Sequence, residues 1–480
     1  MNIDLISSEV APFSKTGGLA DVAGALPTHL SQAGASVRVF TPLYRCVRSR
    51  AKEFSLRPAS PPRFEMDWAG GKESPALWTS SGKGFQAYFI DLPRFYDRDG
   101  LYGTSAGDYA DNGDRFAFFG RACLEAEKAL GIPPDVIHGH DWQSALNLAY
   151  KKFVYGGQPF FQKTKSLFTI HNLGYQGLFS PDILDRTGLP GFLFNMEDLE
   201  FYGRVNFLKA GILYSDAVTT VSVRYSQEIQ TAEFGCGLDG LLRRRSPALF
   251  GVLNGADYSA WNPEDDDLIA ARYRPSDLRG KGRCRQDLLK AFGLSAKGKP
   301  ILGMVSRLAG QKGLDLLVQA VEGILATGAV LAILGTGEAD IEEALSAAAS
   351  RHPGQLGLKL AFDNALAHKV YAGCDFFLIP SKYEPCGLTQ MYSLKYGTIP
   401  IVRATGGLED TIQEFDPASG QGNGFKFLEY SESEFVQAVR RALAIRDNKP
   451  LWKTLRRNAM ACDFSWQRSA EQYLRLYERL

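Results

Sequence analysis

The chain has 480 residues, 45% of them apolar, with 54 basic against 53 acidic side chains and a formal charge of +1. Such a length exceeds one compact core and calls for two large domains. Balanced charge without long runs of either sign argues against a nucleic-acid binder held by a general basic field, and no run of about 18 apolar residues is present to span a membrane. Seven scattered cysteines form no CxxC and are odd in number, so a disulfide framework or zinc site is not expected. The six histidines contain no HExxH. "MNIDLISSEVAPF" lacks a basic start and carries Asp4 in its short apolar run; it reads as a first strand, not a signal peptide, and a cytoplasmic protein is expected.

Apolar β-type runs alternate with helical patterns along the chain. "NIDLIS" (2–7), "SVRVFTP" (36–42), "DVIHGHD" (135–141), "KSLFTIHN" (165–172) and "DAVTTVS" (216–222) read as strands, with helices over 18–34 and 116–130. A second series follows "LFGVLNGAD" (249–257): strands at 299–308, 329–337, 358–362, 374–380 and 398–407, with helices over 313–325 and 338–352. This is the signature of βαβ units around parallel sheets. The polar interval 258–298 reads as a surface connection with one short helix, and "EDDD" (264–267) within it is expected to face solvent. Two doubly wound Rossmann-like α/β domains are therefore predicted, 1–248 and 249–460, with a last helix in 461–480. Ligands in such folds lie beyond the carboxyl ends of the strands, so the cleft between two such domains is the expected site.

Several strand exits carry chemistry. The first leads into "SKTGGLADV" (14–22), where Gly17 and Gly18 open a helix beside Lys15 and offer an anion seat; a plain structural turn is the alternative. The exit "SRLAGQKGLD" (306–315) holds Arg307 and Lys312 before a helix, two cations that suit a diphosphate; a solvated basic loop is the alternative. "TGGLEDT" (405–411) is a glycine turn where only backbone would meet a phosphate, or a turn without a ligand. "SKYEPCGLTQ" (381–390) places Glu384 where an apolar strand gives out, either as a helix start or as a ligand-holding acid. His140, Asp141 and Trp142 follow one strand, and His171 and Asn172 another; they suit either a sugar or satisfied structural roles. Tyr96, Tyr102 and the loop 103–116 form an acceptor-binding lid or a surface loop.

Together these motifs resemble the bacterial glycogen synthase and plant starch synthase family, retaining glucosyltransferases of the GT-B fold. The likeness runs in order through "SSEVAPFSKTGGLADVAGALP", "HDW", "TIHNLGYQG", "VLNGAD", "SRLAGQKGLDLL" and "IPSKYEPCGLTQMYSLKYGTIPIVRATGGLEDT". It implies transfer of glucose from ADP-glucose to the 4-hydroxyl at the non-reducing end of an α-1,4-glucan such as glycogen. It further implies donor-side roles for Lys15, Gly17, Gly18, Asp21, Asn254, Thr405, Gly406, Gly407 and Leu408. Arg307 and Lys312 correspond to a diphosphate clamp, Glu384 to the essential acid, and His171 to a residue at the reacting sugar. Glu9, Asp141, Trp142 and Asn172 correspond to glucan acceptor contacts, and the last helix to one that crosses back to the first domain.

A nucleoside diphosphate leaves with the help of positive charge, which Arg307, Lys312 and the amide turns offer; the GT-B resemblance implies that neither a metal nor any other cofactor is needed, and nucleic acid and membrane are not expected partners. A covalent nucleophile and a same-face internal return are both open routes, and the second is preferred, with Glu384 positioning the sugar. Two positions depart from the family's common pattern: Gln143–Ser144 replaces a His-Ala type pair, and Gly174 a larger small residue. UDP-glucose as donor and a silent glucan-binding paralogue are the rival readings. The second would be expected to lack Glu384, Lys312 or Arg307, all of which are present.

Overall fold

The computed structural model describes residues 1–296 and 298–480. The chain divides into two units, one of Met1–Val221, Ser226–Leu253 and Trp466–Leu480, the other of Ser222–Tyr225 and Asn254–Ser465.

The first unit is built on nine strands: β1 (Asn2–Ile6), β2 (Ser36–Pro42), β3 (Arg57–Arg63), β4 (Ala76–Ser81), β5 (Gln86–Asp91), β6 (Val136–His140), β7 (Lys165–Ile170), β8 (Ala217–Thr220) and β9 (Leu249–Gly251). Their order is β9-β8-β7-β6-β1-β2-β5-β4-β3. Every pairing from β9 to β5 is parallel, and β4 and β3 add an antiparallel edge. From β1 the chain passes to β2, moves out to the edge at β3, works back through β4 and β5, and then crosses to the other side of β1 at β6. That reversal between β1 and β6 is where open sheets of this kind leave room for a ligand. Helices α1 (Gly18–Gln32), α2 (Asn112–Leu130), α3 (Asp141–Phe153) and α4 (Phe207–Tyr214) follow strands or strand exits. Asp4, in the middle of buried β1, is tolerated because Arg38 of β2 clasps it with two bonds of 2.6 Å.

The second unit holds β10 (Ile301–Val305), β11 (Val330–Gly335), β12 (Leu356–Leu360), β13 (Phe376–Ile379), β14 (Ile399–Arg403) and β15 (Phe425–Phe427). All are parallel, in the order β12-β11-β10-β13-β14-β15, so the reversal lies between β10 and β13. Its helices are α5 (Arg279–Phe292), α6 (Leu314–Leu325), α7 (Ala339–Arg351), α8 (Asn364–Gly373), α9 (Thr389–Lys395), α10 (Gly406–Thr411), α11 (Glu432–Asp447) and α12 (Lys449–Met460). In α6 the buried set Leu314, Leu317, Val321, Ile324 and Leu325 repeats every three to four residues. Each such side chain contributes about 1.5–3 kcal/mol on burial. The last helix, α13 (Trp466–Tyr477), packs against α1 of the first unit.

Three expectations need revision. Leu249–Gly251 pairs with β8, so the first unit runs past residue 248. The interval 258–298 is not merely a surface connection: α5 spans 14 residues, buries Cys284, Leu288 and Phe292, and packs on α8. Its buried Lys281 donates to the carbonyls of Ala372 and Tyr396, both at 3.0 Å, and to Thr398 Oγ1 at 2.7 Å. Within "EDDD", Glu264, Asp265 and Asp267 face solvent, but Asp266 is buried. It lies 2.7 Å from His368 Nδ1 and accepts from the Tyr396 hydroxyl at 2.5 Å.

Candidate active site

At the exit of β1, Glu9 is 3% exposed and points into the protein. Its carboxylate accepts from the Thr16 and Gly17 backbone N–H groups, the latter at 3.2 Å. It also accepts from Thr16 Oγ1 and the Tyr102 hydroxyl, each at 2.6 Å. The Gly17 amide, expected to seat a ligand anion, is thus taken by an internal carboxylate together with that of Thr16, and Glu9 shapes the glycine loop. Lys15 is paired with Asp21 at 2.7 Å on a partly exposed surface. Gly17 is extended (φ −151°, ψ −166°), and a Cβ at Gly17 or Gly18 would meet nothing within 4 Å. The fold itself makes no demand for glycine there; bare backbone beside open space suits the close approach of a ligand.

Tyr102 belongs to a pinned segment. The fully buried Arg115 donates to the carbonyls of Phe95 (2.7 Å) and Leu101 (2.9 Å) and to Asn112 Oδ1 (2.5 Å). Asn112 in turn donates to the Tyr102 carbonyl at 2.8 Å. The sequence marks Tyr102 only as one aromatic in a polar loop; its hydroxyl, shared between Glu9 and Ser8, ties that loop to the exit of β1.

The next two parallel strands bring a second group together. Asp141 follows β6 with φ +55°, a left-handed backbone that is uncommon outside glycine. Its Oδ1 accepts the His171 N–H at 2.7 Å. Burial pushes its carboxyl up to about 7 against the backbone bonds it accepts, and the charge of Glu9 adds to the rise. His171 stands at the exit of β7, and burial pushes its imidazole down to about 3, so the ring is neutral. His140, which is fully buried, places Nδ1 3.0 Å from His171 Nε2. Asn172 Oδ1 accepts the Gly174 N–H at 3.0 Å and holds the following turn. Trp142 packs edge-on to Phe116, ring centres 5.1 Å apart, and against Phe179 and Phe207, so much of its ring serves the core.

In the second unit Arg307 stands exposed at the exit of β10, with Gln311 Oε1 3.5 Å away and no carboxylate partner among the described residues. Lys312 Nζ lies 2.6 Å from Glu384 Oε2, which also accepts from Ser381 Oγ at 3.2 Å. Gly313 makes this approach possible: its φ is +74°, and a Cβ there would lie 1.9 Å from the Pro380 carbonyl oxygen. Glu384, 7% exposed, sits after β13, directly beside the exit of β10.

The turn after β14 has a different role from a set of free amides. The Gly407 N–H donates to the Glu384 carbonyl and that of Leu408 to Thr405, each at 3.0 Å. A Cβ at Gly406 (φ +45°) would lie 2.0 Å from the Glu384 carbonyl oxygen, and one at Gly407 2.0 Å from that of Cys386. These glycines let Glu384–Cys386 lie against the turn, while Thr405 and Leu408 are buried. Asn254 is 6% exposed, and its buried Oδ1 has no partner among the described residues. Phe362 was not singled out from sequence. The strand in "LKLAF" ends at Leu360, which leaves Phe362 beyond it, 95% exposed, with a ring free to stack. Among the described residues no cluster of three or more His, Cys, Asp or Glu is arranged to hold a metal ion, and no helix is long and apolar enough to cross a membrane.

Residues 2–244 match the family described as starch synthase catalytic domain, and residues 286–460 match glycosyl transferases group 1. The chain is 48% identical to the glycogen synthase of Koribacter versatilis, over 100% of this chain and 98% of that one. It is 47% identical to the glycogen synthase of Syntrophotalea carbinolica, over 100% and 99%. Among solved structures, the catalytic domain of starch synthase IV from Arabidopsis thaliana bound to ADP and acarbose matches with a TM-score of 0.88 and 34% identity, over 100% of this chain and 98% of that one. Sucrose-phosphate synthase from Thermosynechococcus elongatus, at 18% identity and a TM-score of 0.59, shares the fold alone. With two parallel-sheet α/β units of the GT-B class and full-length relatives at this level of identity, the chain belongs to the glycogen and starch synthase family of glycosyltransferases.

Proposed function

We propose that this glucan synthase transfers glucose from ADP-glucose to the 4-hydroxyl at the non-reducing end of an α-1,4-glucan, with retention of anomeric configuration. The observation that carries the reading is the Lys312–Glu384 pair, held between two strand exits at the sheet reversal of the second unit. In this reading Arg307 and Lys312 meet the diphosphate of the donor. As the glycosidic bond breaks, negative charge grows on the leaving phosphate oxygen, and two fixed cations oppose it there without metal or cofactor. Arg307, with no carboxylate partner among the described residues, is available for two parallel bonds to phosphate oxygens.

Glu384 already accepts from Lys312 and Ser381 through one oxygen. Its negative charge is therefore offset, which makes it a weak nucleophile and a good positioning group. That supports same-face return, in which the acceptor hydroxyl attacks from the side the diphosphate leaves and passes its proton to the departing phosphate. His171 is neutral at working pH and donates a hydrogen bond to the reacting sugar without protonating it. Asp141, Trp142 and Asn172 are assigned to the glucan. Glu9 acts one step back, by holding the Thr16–Gly17 amides, and the bare backbone at Gly17 and Gly18 receives the donor. The Arabidopsis starch synthase IV structure, with ADP and acarbose bound, supports both the nucleotide and the glucan-like ligand class.

The test is nucleoside-diphosphate release with glycogen, comparing ADP-glucose with UDP-glucose. Wild type is compared with Glu384→Ala and Lys312→Ala. Release from ADP-glucose that requires glycogen and collapses in both variants is expected. Preference for UDP-glucose overturns the donor, and a glucosyl group trapped on a side chain overturns same-face return.

A further inference from the structure

His140 lies behind the proposed sugar-facing histidine. It ends β6, is fully buried, and faces Thr169 of β7 in the parallel register, which sets its ring beside His171. The two rings are 5.3 Å apart between centres, and His140 Nδ1 lies 3.0 Å from His171 Nε2. One hydrogen must occupy that contact. Burial holds both imidazoles well below their usual range, so each is neutral and carries one N–H.

The other nitrogen of His140 decides which ring donates. Its Nε2 is buried and has no hydrogen-bond partner among the described residues. A proton there would create an orphaned buried N–H, the rarer and costlier defect; a bare lone pair is better tolerated. His140 therefore carries its proton on Nδ1 and donates it to His171 Nε2. His171 must then carry its own proton on Nδ1.

The His140 ring is itself fixed. His138, two residues earlier on the same face of β6, lies 4.1 Å away between ring centres. Both nitrogens of His138 are engaged, Nδ1 with the Tyr477 hydroxyl at 2.7 Å and Nε2 with Thr169 Oγ1 at 2.6 Å. Thr169 Oγ1 is in turn 2.5 Å from Thr219 Oγ1. His171 is thus held at its backbone by Asp141 and at its ring by His140.

We propose that His140 is a positioning residue that sets the tautomer of His171, so that His171 presents an N–H donor, not a lone pair, to an oxygen of the bound sugar. This rests on the reading above that His171 meets the reacting sugar. The opposite tautomer would set a lone pair against sugar oxygens and remove a favourable contact at the reacting ring.

The test begins with unaltered full-length protein labelled with 15N-histidine, the His171 resonances being identified by their loss in His171→Asn. The expected result is a proton on His171 Nδ1; a proton on Nε2 overturns the proposal, whether or not any variant folds. The kinetic arm uses His140→Phe, which keeps an aromatic ring beside His138 but cannot donate. It should lower kcat about tenfold or more, as loss of an orienting partner does, with little change in donor KM. His140→Asn, whose amide reaches the place of Nδ1, should recover part of that loss. Wild-type kcat in folded His140→Phe overturns the proposal. His171→Ala separates the two levels: if it stays active, the reading of His171 fails and the proposal falls with it. If it loses activity while His140→Phe does not, the proposal alone fails.

Discussion

Replacing Lys312 by Ala removes one of two cations assigned to the diphosphate and strands a carboxylate. A unit charge about 4 Å from a phosphate oxygen, at an effective dielectric constant of about 20, is worth ~4 kcal/mol before desolvation. The Lys312 side chain is 26% exposed, so solvent takes back part of that. A loss of about 10²–10³ in kcat/KM is expected, the range for deleting one group that stabilises charge in the transition state. Glu384, 9% exposed at its side chain, keeps only Ser381 as a donor among the described residues in this variant, so a stability loss of up to roughly 3 kcal/mol accompanies it. Glu384→Ala and the double variant complete a cycle. Because the two side chains share one bond of 2.6 Å, the double variant should lose much less than the product of the single losses. The assay is diphosphate release from ADP-glucose with glycogen, with denaturation curves in parallel. Folded Lys312→Ala whose kcat/KM stays within about threefold of wild type would refute the reasoning.

Two glycine pairs should respond in opposite ways. Gly18→Ala adds a Cβ to open space and should leave denaturation unchanged while raising donor KM; Gly407→Ala sets a Cβ 2.0 Å from the Cys386 carbonyl oxygen and should destabilise the second unit. The carboxyl of Asp141 is raised from its ordinary value to about 7, so between about pH 4 and 7 the folded state binds a proton the unfolded chain has lost. Stability should therefore fall as pH rises through that window and level off above it. Asp141→Asn should abolish that part of the slope in denaturant midpoints, and an unchanged slope would count against it. Phe362→Ala removes a ring that is 95% exposed, so the fold should be unaffected within about 0.5 kcal/mol. ADP affinity measured by calorimetry should fall by about 1–3 kcal/mol if the ring stacks on the base.

Much of the architecture was legible because buried parallel strands are nearly continuous apolar runs separated by helical spacing. Ser36–Pro42 and Leu314–Leu325 lie where their patterns place them. β3 was not legible: "RPASPPR" carries three prolines, which suit only an edge strand and resemble a loop in sequence. The full length and buried face of α5, read only as one short helix, were hidden by charge on its outer face, and Asp266 by three acidic neighbours that do face solvent. Within the candidate site, residue types were legible and their commitments were not. Gly17, Gly18, Gly406 and Gly407 look alike in sequence. Only the fold separates the pair that borders open space from the pair that accommodates Glu384–Cys386. The bond between His140 and His171 likewise depends on the register of β6 against β7, which no local pattern encodes.

The hydroxyl that engages His138 belongs to Tyr477, 339 residues further along the chain. At about 5–20 residues per second, a ribosome needs roughly 20 to 70 s to travel from one to the other. Throughout that interval the strand that carries His138 and His140 exists without its buttress. Helix α1 likewise lacks the cover of α13, whose Trp466, Ala470, Tyr473 and Tyr477 are all buried in the finished unit. A chain without α13 would hold all the side chains given roles in the chemistry, yet His138 beneath them would keep only its Thr169 contact and lose the one from Tyr477. The sugar-facing wall is thereby finished only once α13 has been made and docked.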